Sequence, residues 1–158
     1  MIAIAHFLLG ALIGKSFESL LLISILAFIS HFILDAIPHY GHGHFKHRKE
    51  DLSARDWGFI VLDVLAGFLL ALYFAFQFQF WQIAFGAFFA ILPDLISYSA
   101  WRFKLLRKPF FKQFHTLHNK IHSFHGEIGF KLAPELRWLG VLFEAVVITA
   151  TLALILFT

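Results

Sequence analysis

The sequence predicts an all-α integral membrane protein, a bundle of four full transmembrane helices preceded by a short or re-entrant N-terminal helix. Three observations carry this expectation. Hydrophobic residues make up 59% of the chain and the mean hydropathy is +0.76, leaving too little polar surface to coat a water-soluble domain. Apolar runs of bilayer length alternate with polar or basic stretches, and no Gly/Ser/Pro-rich linker divides residues 1–158, so one transmembrane domain is expected. Basic residues are also sharply partitioned between the connecting loops.

Taken in order, the run from Ile2 to Gly14 rises only about 20 Å, short of a ~30 Å hydrocarbon core. It lacks a basic leader and an A-x-A-like cleavage site and is read as part of the mature fold. After the polar tip Lys15-Ser16-Phe17-Glu18, the run from Ser19 to Ile37 is long enough to span, and Pro38 stops it because proline cannot continue a helix. The polar loop His39 to Asp56 leads to a third helix from about Trp57 to Phe76. A tight Gln77-Phe78-Gln79 turn and a fourth helix from about Phe80 to Ala100 follow. The basic, His-rich segment 101–134 precedes the last span, from about Glu135 to Phe157.

Twelve of the thirteen Lys and Arg residues lie in two of these connections: Lys46, Arg48, Lys49 and Arg55 in the first, and eight from Arg102 to Arg137 in the second. Only Lys15 lies opposite. The positive-inside rule then puts the amino terminus and both basic loops in the cytoplasm, in a cell or inner membrane, and the carboxyl terminus outside. Interleaved apolar and basic residues from Trp101 to Lys112 suit an interfacial segment on anionic lipid, so membrane lipids are expected partners. Nucleic acid is not, because the topology already requires this charge. Zero cysteines exclude thiolate metal sites and disulfides, and nothing in the sequence specifies an oligomeric state.

This topology converts positions into depths. His31 lies seven residues before Pro38, Asp63 six after Trp57, Asp94 seven before Trp101 and Glu144 six after Trp138, so each sits roughly 10 Å below the cytoplasmic boundary. Folding the hairpin about residues 17–18 brings His6 to the level of His31. Ionisable groups cost roughly 2.5–3.5 kcal/mol each in hydrocarbon, so a shared layer points to a metal or proton site. His31 and Asp35 share a helix face at i, i+4 and suit zinc, manganese or iron, or a His–Asp hydrogen bond between helices. Pro93 frees a carbonyl beside Asp94, a ligand or base candidate. Asp63 and Glu144 each stand alone, as ligand, supporting partner or polar clamp. If their segment is helical, His115, His118, His122 and His125 form one stripe about 80° wide. Within it, His118 and His122 at i, i+4 could present two imidazoles to one ion, or the stripe is a solvated surface. His39, His42, His44 and His47 read as a solvated Gly/His loop.

SHFILDAIPH, the short amino-terminal helix with His6, ILPD and the His118–Ser123 element together resemble the YdjM-like family of small membrane-bound metal-dependent hydrolases. The resemblance implies a multi-span protein with a divalent metal held near the cytoplasmic face by His6, His31, Asp35, Asp94, His118 and His122, and a hydrolytic, phosphoester-cleaving activity. The function expected is a metal-dependent hydrolase acting on a lipid or phosphoester substrate. Asp94 or Asp63 would take a proton, and Arg102 and Lys104 would hold an anionic head group. The alternatives are a small ion or proton transporter, a non-catalytic scaffold, or a His-ligated di-iron or haem protein.

The twelve-to-one asymmetry makes a direct prediction. Reporter fusions after Gly43 and after Thr158 report opposite sides of the membrane, the first cytoplasmic; the same side for both contradicts the topology.

Overall fold

The computed structural model describes residues 2–37, 53–127 and 137–157, the side chains of residues 122–127 and 137 excepted. Among the described residues are six α-helices, one 3-10 turn and no strand: α1 (Ala3–Ser16), α2 (Leu20–Ala36), α3 (Ala54–Gln77), α4 (Gln82–Arg102), the turn Leu105–Arg107, α5 (Pro109–Glu127) and α6 (Arg137–Phe157). The regular structure of the described residues is all helical, and α3, α4 and α6 are long and apolar enough to cross a bilayer. With 17 residues, α2 rises about 25 Å and is shorter than the full span expected from Ser19 to Ile37. Its ends explain why. Ser19 stays outside the helix as its cap, accepting the Leu22 N–H at 3.4 Å. Ile37 is extended (φ −79°, ψ 137°), as the residue before a proline is forced to be.

The other boundaries are equally local. Ser53 and Asp56 form a reciprocal capping box at the start of α3. The turn into α4 is a Schellman closure: Phe80 N–H donates to Ala75 O at 3.0 Å and Gln79 N–H to Phe76 O at 3.2 Å, with Gln79 left-handed at φ 52°. A second left-handed residue, Lys104 at φ 57°, ends α4, and Pro109 opens α5, where its missing N–H costs nothing.

The shortest helix is the central one. α1 packs against α2, α3, α4 and α6, and its apolar residues are spread around the whole circumference, as a helix buried on all sides requires. Gly10 and Gly14 on α1 meet Gly86 and Ala90 on α4 at backbone contact: a Cβ on Gly10 would stand 2.6 Å from Ala90 Cβ and 2.8 Å from Ala87 Cα. In lipid, where apolar burial gives helices no preference for one another, such close small-residue packing supplies the association. At the far end of α1, Lys15 Nζ donates to Ile155 O at 2.6 Å and lies 3.9 Å from the Phe78 ring centroid, closing the last turn of α6.

The outer surface is apolar. Leu21, Ile25, Ile29 and Ile33 form an exposed stripe on α2, and Leu62, Leu65, Phe68 and Leu69 another on α3. Continuous exposed surfaces of this kind belong in a membrane.

One substitution should have opposite signs at two glycines. Gly10→Ala forces α1 from α4 and lowers unfolding stability in a detergent titration by about 1–3 kcal/mol. Gly58→Ala, where nothing lies within 4 Å, raises it by up to about 1 kcal/mol through helix propensity.

Candidate metal centre

The glycine contact has a consequence for chemistry. His6 lies one turn before Gly10 on α1, so the close approach of α1 to α4 brings its imidazole into the middle of the bundle. There it stacks on His31 with ring centroids 4.2 Å apart. α2 contributes His31 and Asp35 from consecutive turns of one face, α4 contributes Asp94 immediately after Pro93, and α5 contributes His118. His6, His31 and Asp35 have no exposed surface, and His118 has almost none.

Asp35 is the hub. Its Oδ2 lies 3.0 Å from His31 Nε2 and 3.4 Å from His118 Nε2, while its Oδ1 lies 3.3 Å from His6 Nε2. Asp94 Oδ1 closes the arrangement from the other side, 3.4 Å from His118 Nε2 and 3.8 Å from His31 Nε2. The two histidine nitrogens are themselves only 3.1 Å apart. The Nε2 atoms of His31 and His118 thus stand between two carboxylates, with ligand atoms contributed by three helices.

These separations fit a cation. His31 Nε2, His118 Nε2 and Asp94 Oδ1 stand 3.1–3.8 Å apart, a range that includes the ~3.3–3.4 Å between ligands bound tetrahedrally at ~2.0–2.1 Å. The hydrogen bonding agrees. His31 Nδ1 lies 2.8 Å from Ala90 O, and since a carbonyl only accepts, Nδ1 carries a proton, so that in the neutral ring Nε2 presents its lone pair to the centre. Ala90 adjoins Phe89, whose carbonyl loses its helical donor to Pro93. Neither ring nitrogen of His6 makes a hydrogen bond although the ring is fully buried, so His6 also has lone-pair capacity aimed at the cluster. His6, His31 and Asp35 form one potential ligand group, and His31, Asp94 and His118 a second that shares His31.

Aromatic rings wall the centre. Phe32 sets its edge against both His31 and His118, and Phe114 stacks on His118. The open side is at Asp94, which keeps 41% of its side chain exposed. Leu95 and Tyr98 are exposed beside it, and Tyr98 packs edge-on against Trp57 of α3.

The remaining sequence candidates lie elsewhere. Asp63 is at the start of α1, where its two oxygens accept the Ala3 N–H at 2.6 Å and the Ile4 N–H at 3.0 Å. That helix has no capping side chain of its own, so a carboxylate on α3 satisfies donors that would otherwise be stranded in the bundle. Glu144 is buried on α6. Arg102 and Lys104 are exposed at the end of α4, Arg102 about 12 Å along the helix from Asp94. The side chains of His122 and His125, and the whole of His39, His42, His44 and His47, lie outside the described residues.

A polar contact that sequence reasoning missed sits one turn from the centre. Ser97, three residues after Asp94, places Oγ 2.6 Å from Nδ1 of His115, three residues before His118. Asn119 Nδ2 donates to His115 Nε2 at 3.0 Å, so His115 Nδ1–H donates to Ser97. The antiparallel 94/97 and 118/115 pairs fix the register of α5 on α4, and the His stripe together with Ser97 one turn from Asp94 was the available signal.

Searches of family models, curated proteins and solved structures found no match to this chain.

The capping geometry separates Asp63 from the centre experimentally. Asp63→Asn should cost about 1–2 kcal/mol of stability, having lost a charged double cap, while metal content stays at the wild-type level. Loss of metal with unchanged stability would contradict that separation.

Proposed function

We propose that this protein is a membrane-embedded metal-dependent hydrolase acting at the cytoplasmic face on a lipid or phosphoester substrate. The observation that carries this reading is that the Nε2 atoms of His31 and His118 lie 3.0–3.8 Å from carboxylate oxygens of Asp35 and Asp94 inside an apolar bundle. Two carboxylates and neutral imidazoles there carry a formal charge of about −2, which hydrocarbon does not tolerate without a partner. One divalent ion balances it. Zinc, manganese and iron all accept this His/carboxylate set.

Such an ion, when bound, supplies water activation near neutral pH and polarisation of a phosphoryl oxygen. The chain's own residues supply the rest. Asp35 and His31 are fixed and buried, which suits ligands held in one geometry. Asp94 is different: one oxygen faces the histidines and the side chain remains accessible, which suits it to take the proton of an attacking water. With Asp63 engaged by α1, Asp94 is the carboxylate left for that work. Arg102 and Lys104, at the cytoplasmic end of the same helix, would attract an anionic head group towards the open side. The four-span topology belongs to the same proposal, with α2 as the fourth crossing. Its shortfall of about 5 Å is the kind of mismatch a bilayer absorbs by local thinning.

One observation favours a second reading. Two imidazole nitrogens 3.1 Å apart also fit a shared proton, and the same cluster could bind protons in a small transporter or be purely structural.

Metal analysis decides between them. Protein purified without chelator should carry close to one equivalent of zinc, manganese or iron, and His31→Ala or Asp35→Asn should reduce it to under about a tenth. Asp94→Asn keeps the shape but loses the charge, and should lower hydrolysis of an anionic phosphodiester lipid by about 100-fold or more with the protein still inserted. Wild-type protein that contains no metal and takes up none of the three ions supports the proton reading.

A further inference from the structure

α5 has two working faces. The inner one carries His115 and His118 against α4 and α2. The outer one, with the 3-10 turn before it, forms an open cavity of about 590 Å³ lined by Arg107, Lys112, Gln113, Thr116, Leu117 and Lys120. Among the described residues, three cations and two neutral hydrogen-bonding side chains line this trough, and no acid does. The surrounding sequence is as one-sided: between Asp94 and Glu127 there are six Lys or Arg residues and no Asp or Glu. Topology alone needs the positive charge near the membrane but does not need it gathered into a concavity.

The apolar residues say what kind of anion fits. Phe103, Phe110 and Leu117, all on or just before this helix, are more than half exposed. Large exposed apolar side chains next to Lys and Arg suit a helix whose outer face meets the headgroup region, apolar groups in the acyl boundary and long cationic side chains reaching the phosphates. At 100° per residue, Lys112, Thr116 and Lys120 lie about 120–160° round α5 from His118, so this trough cannot present its occupant to the metal centre. It is a separate site.

We propose that the outer face of α5 and the Leu105–Arg107 turn bind the headgroup phosphate of an anionic phospholipid, seating α5 on the bundle from outside. The trough offers Arg107 for paired hydrogen bonds to phosphate oxygens, Lys112 and Lys120 as point charges, and Gln113 and Thr116 for the polar remainder of the headgroup. The proposal does not depend on the metal centre, and its test reads lipid binding alone.

The test is native mass spectrometry of the full chain in mild detergent, titrated with phosphatidylglycerol and, separately, with phosphatidylcholine. Wild type should prefer phosphatidylglycerol, and Lys112→Gln/Lys120→Gln should weaken that binding roughly tenfold or more, as expected for two cations near a phosphate surface. Arg55→Gln/Lys108→Gln removes the same charge from outside the trough and should change it by less than about twofold. Inorganic phosphate at matched ionic strength should not displace the lipid. Equal losses for the two pairs would reduce the effect to diffuse charge. That result, no preference in wild type, or full displacement by inorganic phosphate would each overturn the proposal.

Discussion

Asp35 is a carboxylate with no exposed surface in the interior of an apolar bundle, and the arrangement around it follows from that. An isolated carboxylate in such a place would cost several kcal/mol and would be expelled or neutralised. Here imidazole nitrogens from α1, α2 and α5 lie 3.0–3.4 Å from its oxygens. Each requires a helix to be in a particular place. His31 comes with Asp35 on one face of α2. His6 arrives because two glycines let α1 touch α4. His118 arrives because α5, an otherwise polar helix, lays one face back on the bundle.

The two acids of the centre differ in surroundings more than in chemistry. Asp35 is fully buried among the imidazoles of His6, His31 and His118, whereas Asp94 follows a proline in α4 and retains accessible surface. A buried, fully surrounded carboxylate suits a permanent ligand, and an accessible one suits proton transfer. Asp63 is a third case: held by two backbone N–H groups, it stabilises the start of the central helix. Three aspartates at similar expected depth therefore have three environments, and only geometry tells them apart.

Much of this was legible in the sequence because the bilayer restricts the options. Apolar run lengths and Pro38 located α1–α4 and α6 to within a few residues but not the polar α5, and the depth argument grouped His6, His31 and Asp94 before their contacts were visible. The i, i+4 pair His31–Asp35 follows from helix periodicity alone. What depth cannot give is rotation about each helix axis. Asp63 stands at the right height but faces the first turn of α1, and the clue was α1's lack of a capping side chain. Ser97 and His115 each lie one turn from a centre residue, but pairing them requires the register of α5 against α4, which the sequence does not set. The length of α2 was overestimated because both of its ends were counted as helix when one is a cap and the other precedes a proline.

The most direct test of the central claim is X-ray absorption at the edge of whichever metal the purified protein carries. The geometry predicts two or three imidazole nitrogens, recognisable by their multiple scattering, together with carboxylate oxygen at about 2.0–2.2 Å, and loss of one imidazole contribution in His118→Ala. A spectrum containing only oxygen scatterers, or one unchanged by His118→Ala, would contradict a centre built on His31, His118, Asp35 and Asp94.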